Sequence, residues 1–272
     1  MKCLLYYFTG TGNCLFISRK VQERIPDTSL VPIVGFLKSQ NFKVPSDVMG
    51  IIFPIQAFSF PWIVKKFIEQ ADFSEVSYIF AIASRVCFSK TFSDMDKLLQ
   101  KKGKGLNASI SIEMPVNYLP VFEVYSQEKI NQTCDKMEKS LDSFVVSIVK
   151  QEPNKQTTTR LIFPLSNIIY PRITRLFQNK RFIRMEQSFY VDEKCSGCGK
   201  CEKICPADKI KFLEGQPTWQ DNIRCMYCFA CLHYCPQQAI QLKGYKTSKK
   251  GRYHHPAVTA KDIEDQKYLN SS

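Results

Sequence analysis

Residues 195–206 read CSGCGKCEKICP, and residues 225–236 read CMYCFACLHYCP. Cys195, Cys198, Cys201 and Cys205 therefore stand at the spacing that Cys225, Cys228, Cys231 and Cys235 repeat thirty positions later, with Pro206 and Pro236 closing the two runs. Ile210 and Ile240 keep the same offset, so the stretch is an internal duplication. Twelve cysteines in a short secreted chain would suggest disulfides, but this chain has 272 residues and opens on a strand-like run instead of a charged segment followed by a long apolar one. A soluble, unexported protein in a reducing, cytoplasmic setting is expected, with the eight crowded cysteines as ligands. For the scattered Cys3, Cys14, Cys87 and Cys134, the expectation is that of small buried hydrophobes.

Three cysteines at two-residue intervals wrap one cubane, and in this pattern the fourth cysteine of each run serves the other cluster. The expected ligands are Cys195, Cys198, Cys201 and Cys235 for the first 4Fe-4S cluster, and Cys225, Cys228, Cys231 and Cys205 for the second. Paired zinc sites also use CxxC, but seldom show a third evenly spaced cysteine and a CP ending. Gly197 and Gly199 are expected where crowded backbone amides approach the inorganic sulfurs. Short strands flank the loops at Phe189–Val191, Ile210–Phe212 and Ile240–Leu242. Residues 189–243 resemble bacterial two-cluster ferredoxins, which implies a small α+β domain.

At the other end of the chain, KCLLYYF (2–8) is an apolar run of strand length. It leads into Thr9, Gly10, Thr11, Gly12, Asn13 and Cys14, then a helical pattern with Ile17, Val21 and Ile25 on one face. Strand, glycine- and hydroxyl-rich turn and helix start together form an anion cradle, with backbone N–H groups and the positive helix end facing the ligand. The turn is neither GxGxxG nor a lysine-bearing NTP loop. Further strands at 48–55, 77–84 and 105–113 alternate with helical patterns near 61–70 and 90–102, which implies a doubly wound parallel sheet. A helix over about 126–149 carries Ile130, Cys134, Met137, Leu141, Phe144, Val145 and Ile148 on one face, with Ser126 as its cap.

The turn resembles the flavodoxin phosphate loop, with Cys14 where that family usually has threonine. The resemblance implies the sheet order 2-1-3-4-5 and FMN at the carboxyl ends of the strands. The loops that leave those strands are then expected beside the flavin: Gln56, Ala57 and Phe58 on one, Ser84 and Arg85 on the other, continuing to Val86, Cys87 and Phe88. Met114–Tyr118 is similar to a segment of flavodoxin-plus-ferredoxin fusion proteins.

The net charge of +13 is densest over 151–188 and lowest in 189–243, where two clusters with their thiolates would each add about −2. That balance disfavours a nucleic-acid partner. The basic linker (151–188) is broken by Pro153, Pro164 and Pro171, which favours a connector docked between domains over a membrane-surface helix. The remaining 244–272 reads as a polar, partly extended tail in which His254 and His255 are neighbours at the surface. The order of a 1–150 flavodoxin-like domain, linker and 189–243 ferredoxin domain resembles the fusion family. That resemblance implies an anaerobe's electron-transfer flavoprotein passing electrons between FMN, two clusters and a redox partner protein. The alternatives are an FMN-dependent reductase of a small acceptor, such as a quinone or nitro compound, and a redox sensor, for which no output domain is recognisable.

Overall fold

The computed structural model describes residues 2–85, 90–156 and 185–269; Val86, Cys87 and Phe88, and most of the linker, lie outside these. Six parallel strands form one sheet: β1 (Cys3–Tyr7), β2 (Thr28–Pro32), β3 (Val48–Pro54), β4 (Tyr78–Arg85), β5 (Ala108–Glu113) and β6 (Asn154–Lys155). Their order is β2-β1-β3-β4-β5-β6, the flavodoxin-like order with one short strand added at the β5 edge. Register runs from Cys3 opposite Thr28 and Val48 to Tyr7 opposite Pro32 and Ile52.

The apolar continuity of β1 follows from burial on both faces. Cys3, Leu5 and Tyr7 join the core made with α1 (Asn13–Arg24) and α5 (Gln127–Val149). Leu4 and Tyr6 join the opposite core, made with α2 (Ile33–Lys38), α3 (Trp62–Gln70) and α4 (Thr91–Gln100). The Ser126 hydroxyl accepts from the Lys129 N–H and caps α5 as expected. On the buried face of α5, however, Thr133 takes the place expected for Cys134, which is only half-buried.

In the cysteine-rich segment, β7 (Phe189–Val191) pairs antiparallel with β10 (Ile240–Leu242), and β8 (Ile210–Leu213) with β9 (Gln216–Trp219). Helices α6 (Lys200–Lys203) and α7 (Ala230–His233) each lie between the third and fourth cysteines of their run, taking in the third. Strand β9 escapes a pattern reading because Pro217 and polar neighbours break its periodicity.

The expected polar tail is not extended. Residues 247–268 lie across both parts of the molecule and include α8 (Ala260–Asp265), which starts with a Thr259/Asp262 capping box. Arg252 donates to the carbonyls of Leu232 and Ile240, Tyr253 donates its hydroxyl to Asn13, and Lys267 donates to the Lys203 carbonyl. His255, expected at the surface, is 3% exposed and stacks on Phe16 at 3.8 Å. The tail's few apolar anchors, Tyr253, Val258 and Ile263, are too scattered to form a period, and its polar groups are satisfied by distant partners.

Candidate functional site

A cavity of about 300 Å³ lies at the carboxyl ends of β1, β3, β4 and β5, where doubly wound sheets take ligands. Of the residues expected there, Gly10, Asn13, Gln56, Ala57, Phe58, Ser84 and Arg85 line it. Met114, Pro115, Asn117 and Tyr118 form another side, and Val121 and Phe122, both exposed, stand at the rim. The remaining wall comes from the second cysteine loop: Tyr227, Cys228 and Phe229. No local pattern in those three residues signals contact with a sheet two hundred positions away.

Thr9, Thr11, Gly12 and Cys14 do not line the cavity; they build the cradle beneath it. Thr9 and Thr11 were expected to offer hydroxyl donors to a ligand. The Thr9 hydroxyl accepts from the Gly12 N–H and the Thr11 hydroxyl accepts from the Asn117 amide, and a hydroxyl that accepts can still donate. Gly12 sits at φ 95, and a Cβ there would come within 2.7 Å of Val258, so the tail closes the cradle from outside. Cys14 contacts the Ser84 hydroxyl through sulfur at 3.3 Å, and burial pushes its thiol up to about 12. Among the described residues, no acceptor pairs with the backbone N–H groups of Gly10, Thr11, Asn13 and Cys14. Four orphaned amides at the start of a twelve-residue helix, with Thr and Gly around them, make a donor set that fits a phosphate.

The eight crowded cysteines fall into two groups. Cys195, Cys198, Cys201 and Cys235 line one small cavity, and Cys205, Cys225, Cys228 and Cys231 line the other. The grouping crosses between the two runs. Burial pushes the Cys201 thiol up to about 11, with the neighbouring Cys198 and Cys235 adding to the rise. Burial likewise pushes Cys228 up to about 12, with Cys205 contributing. Thiols that resist ionisation in this way need a cation cluster to become ligands. Among the described residues no three His, Cys, Asp or Glu side chains converge tightly enough to hold a single metal ion. Four thiols set around a cavity suit a cubane better than zinc. A Cβ on Gly199 would meet no protein atom within 4 Å, and the left-handed φ of 70 and 66 at Gly197 and Gly199 itself favours glycine.

The two groups differ in setting. Cys198 is exposed, whereas Cys205 is buried. Loop 56–62, expected to wall a flavin, also grips the second cysteine loop. The Trp62 indole donates to the Cys225 carbonyl at 3.0 Å, and the Gln56 amide to those of Met226 and Tyr227 at 3.2 Å. A Cβ on Gly10 would lie 2.1 Å from the Cys228 carbonyl oxygen, so cradle and cysteine loop are in backbone contact. Cys228 lines both the 300 Å³ cavity and the second thiol-lined cavity.

Beneath this loop, Lys209 is 2% exposed and ion-paired to Glu186 at 2.6 Å. Its ammonium also donates to the Gln220 and Ile223 carbonyls, while Glu186 accepts from the Cys225 N–H and the Tyr227 hydroxyl. Neither residue was singled out from the sequence, although Lys209 occupies the duplicate position of Ala239.

Residues 177–240 match the family of 4Fe-4S dicluster domains. Over 49 residues the chain is 47% identical to a component of the ion-translocating oxidoreductase complex of Methanosarcina acetivorans, covering 18% of this chain and 18% of that one. Over 61 residues it is 38% identical to an uncharacterized ferredoxin of Methanocaldococcus jannaschii, covering 21% of this chain and 79% of that one. Among solved structures, 53% of the chain aligns with 37% of the rubredoxin oxygen:oxidoreductase of Desulfovibrio gigas, at 11% identity and a TM-score of 0.32. The same share aligns with 97% of the Trp repressor binding protein of Bacillus subtilis, at 10% identity and a TM-score of 0.34. No helix among the described residues is long and apolar enough to cross a membrane.

Proposed function

The chain belongs with the ferredoxins by its dicluster domain, and from that premise we propose that it is a flavodoxin-plus-ferredoxin fusion, an FMN-containing electron-transfer protein serving a redox partner protein. The dicluster domain makes electron transfer the chain's business; the flavin, the partner and a cytoplasmic site of action are the proposal. FMN, when bound, supplies conversion between one- and two-electron chemistry, and the clusters supply single-electron exchange. The amides of Gly10, Thr11, Asn13 and Cys14 would hold the phosphate, with Gln56, Ala57, Phe58, Ser84 and Arg85 around the rest of the cofactor.

One observation carries the reading: Cys228 is a wall of both the 300 Å³ cavity and the second thiol-lined cavity. A ligand thiolate shared between two cofactor sites serves transfer between them. At the far side, exposed Cys198 gives the first group a face that a partner protein can approach.

Anaerobically purified protein is expected to contain roughly eight iron and eight sulfide with one FMN, its flavin bands standing on a broad iron-sulfur absorption. On rapid mixing with a reduced low-potential protein donor, both centres should bleach. Cys228→Ala should slow flavin bleaching tenfold or more with FMN still bound; an unchanged rate refutes the shared-wall reading. The small-acceptor reductase is favoured by the exposed apolar rim at Val121 and Phe122, through which a quinone or nitro compound could enter. Saturable turnover of one such acceptor would select it over the carrier.

A further inference from the structure

The two cysteine loops are copies offset by thirty residues, so each position in one has a counterpart in the other. Gly197 and Gly199 are matched by Tyr227 and Phe229. All four are left-handed: φ is 70 and 66 in the first loop, 49 and 57 in the second. Crowding by other protein atoms does not account for the difference, since a Cβ on Gly197 would meet none closer than 3.6 Å. The conformation is what calls for glycine, and the second loop places two bulky aromatics there against that preference.

Strained residues of this kind persist where their surroundings over-determine them, and they gather at ligand sites. Among the described residues the aromatics with positive φ are Phe58, Tyr227 and Phe229, and all three line the 300 Å³ cavity. Core packing is the competing account, because Phe229 meets the edge of Tyr118 at 5.6 Å and the Tyr227 hydroxyl reaches Glu186. Yet Phe189 and Trp219 stack at 5.7 Å beside the same cysteine loop with ordinary backbone conformations. Tyr227 and Phe229 are 7% and 6% exposed and belong to a core cluster, but packing does not call for an aromatic at a glycine position, and both rings also line the cavity.

We propose that Tyr227 and Phe229 are ring contacts of the flavin, so that the second cysteine loop is itself one wall of the FMN site. The inference rests on the FMN reading above. It makes the cofactor site a joint product of both domains, with flavin affinity dependent on the identity of two residues in a cluster-binding loop.

The test uses the full chain with both clusters loaded, titrated anaerobically with FMN. Tyr227→Gly and Phe229→Gly install the residues of the first loop and relax the backbone, so iron and sulfide content should stay at the parent level. Each should weaken FMN about tenfold, the scale of losing one aromatic contact with its buried area, and shift the visible bands of bound flavin. Tyr227→Phe keeps the ring and removes only the hydroxyl, and should bind FMN as the parent does. Tyr227→Asn and Phe229→Asn, which tolerate the left-handed region, should behave as the glycine variants do. Equal FMN affinity across all variants overturns the proposal while leaving the FMN reading intact. Loss of the second cluster in the glycine variants also overturns it, by assigning the aromatics to the loop's own structure. A parent protein that holds clusters and refuses FMN refutes the FMN reading, and the proposal falls with it.

Discussion

Replacing Lys209 with methionine tests how the second cysteine loop is held. The Lys209 ammonium makes three contacts of 2.6 Å, to Glu186 and to the carbonyls of Gln220 and Ile223. Methionine fills a similar volume but strands the Glu186 carboxylate, 15% exposed, and leaves two loop carbonyls without their donor. Breaking a buried pair from one side costs about 3–5 kcal/mol. At about 2–4 °C per kcal/mol for a protein of this size, the melting temperature should fall by about 6–20 °C. Glu186→Gln should cost a comparable amount, because it leaves the Lys209 ammonium, 2% exposed, without its counter-charge even though glutamine still offers an oxygen to the Cys225 N–H and the Tyr227 hydroxyl. The double variant, which leaves no unpaired charge, should recover much of the loss. The assay is anaerobic thermal unfolding of cluster-loaded protein, all three variants run beside the parent. A Lys209→Met variant that loses under about 1 kcal/mol would show that the pair does not organise the loop, and the reasoning would fail.

Further expectations follow from the contacts between cradle, tail and loop. Burial holds His255 neutral and pulls its pKa down to about 4, against an ordinary 6.5. Stability from this group is therefore complete above 6.5 and is lost as pH falls toward 4. Between pH 7 and pH 5 it should decline by about 2 kcal/mol, and His255→Phe, keeping the stack on Phe16, should remove that share of the slope while leaving the share of His233, which burial also pulls down to about 4; an unchanged slope in unfolding titrations would count against it. Gly10→Ala drives a methyl into the Cys228 carbonyl, 2.1 Å away, and should cost about 1–3 kcal/mol or more as overpacking; unfolding at the parent midpoint would show that the two backbones are not in contact. Tyr253→Phe strips the Asn13 side-chain oxygen of its hydroxyl donor and should cost about 1–3 kcal/mol in denaturant titration.

Some of the molecule is legible in sequence because the chemistry is local. Ligand spacing in 195–206 and 225–236 is dictated by the size of a cubane, and the unbroken apolar run of β1 by a sheet covered on both faces. The cradle is equally local, since Gly12 with φ 95 must be a residue that accepts it. What stays hidden depends on surfaces far apart in the chain. Strand β2 carries an exposed Ser29 and a terminal Pro32 and lacks a clean apolar run, so nothing local marks it before it pairs with β1. Tyr227 and Phe229 look like ordinary variation within a cysteine loop until the sheet ends are brought against them. The tail shows the same limit: Gln266 accepts from the Thr9 N–H, and His255 donates its backbone N–H to Thr11, pairings that composition cannot reveal.

Those last two contacts also order events during synthesis. Thr9 and Gln266 are separated by 257 positions, so the amino-terminal cradle can reach its final shape only after almost all of the described chain has left the ribosome. Until then the side of Gly12 that Val258 later packs against stays open. The growing polypeptide thus carries a turn whose last protein partners, Val258 and Gln266, are among the latest residues to emerge.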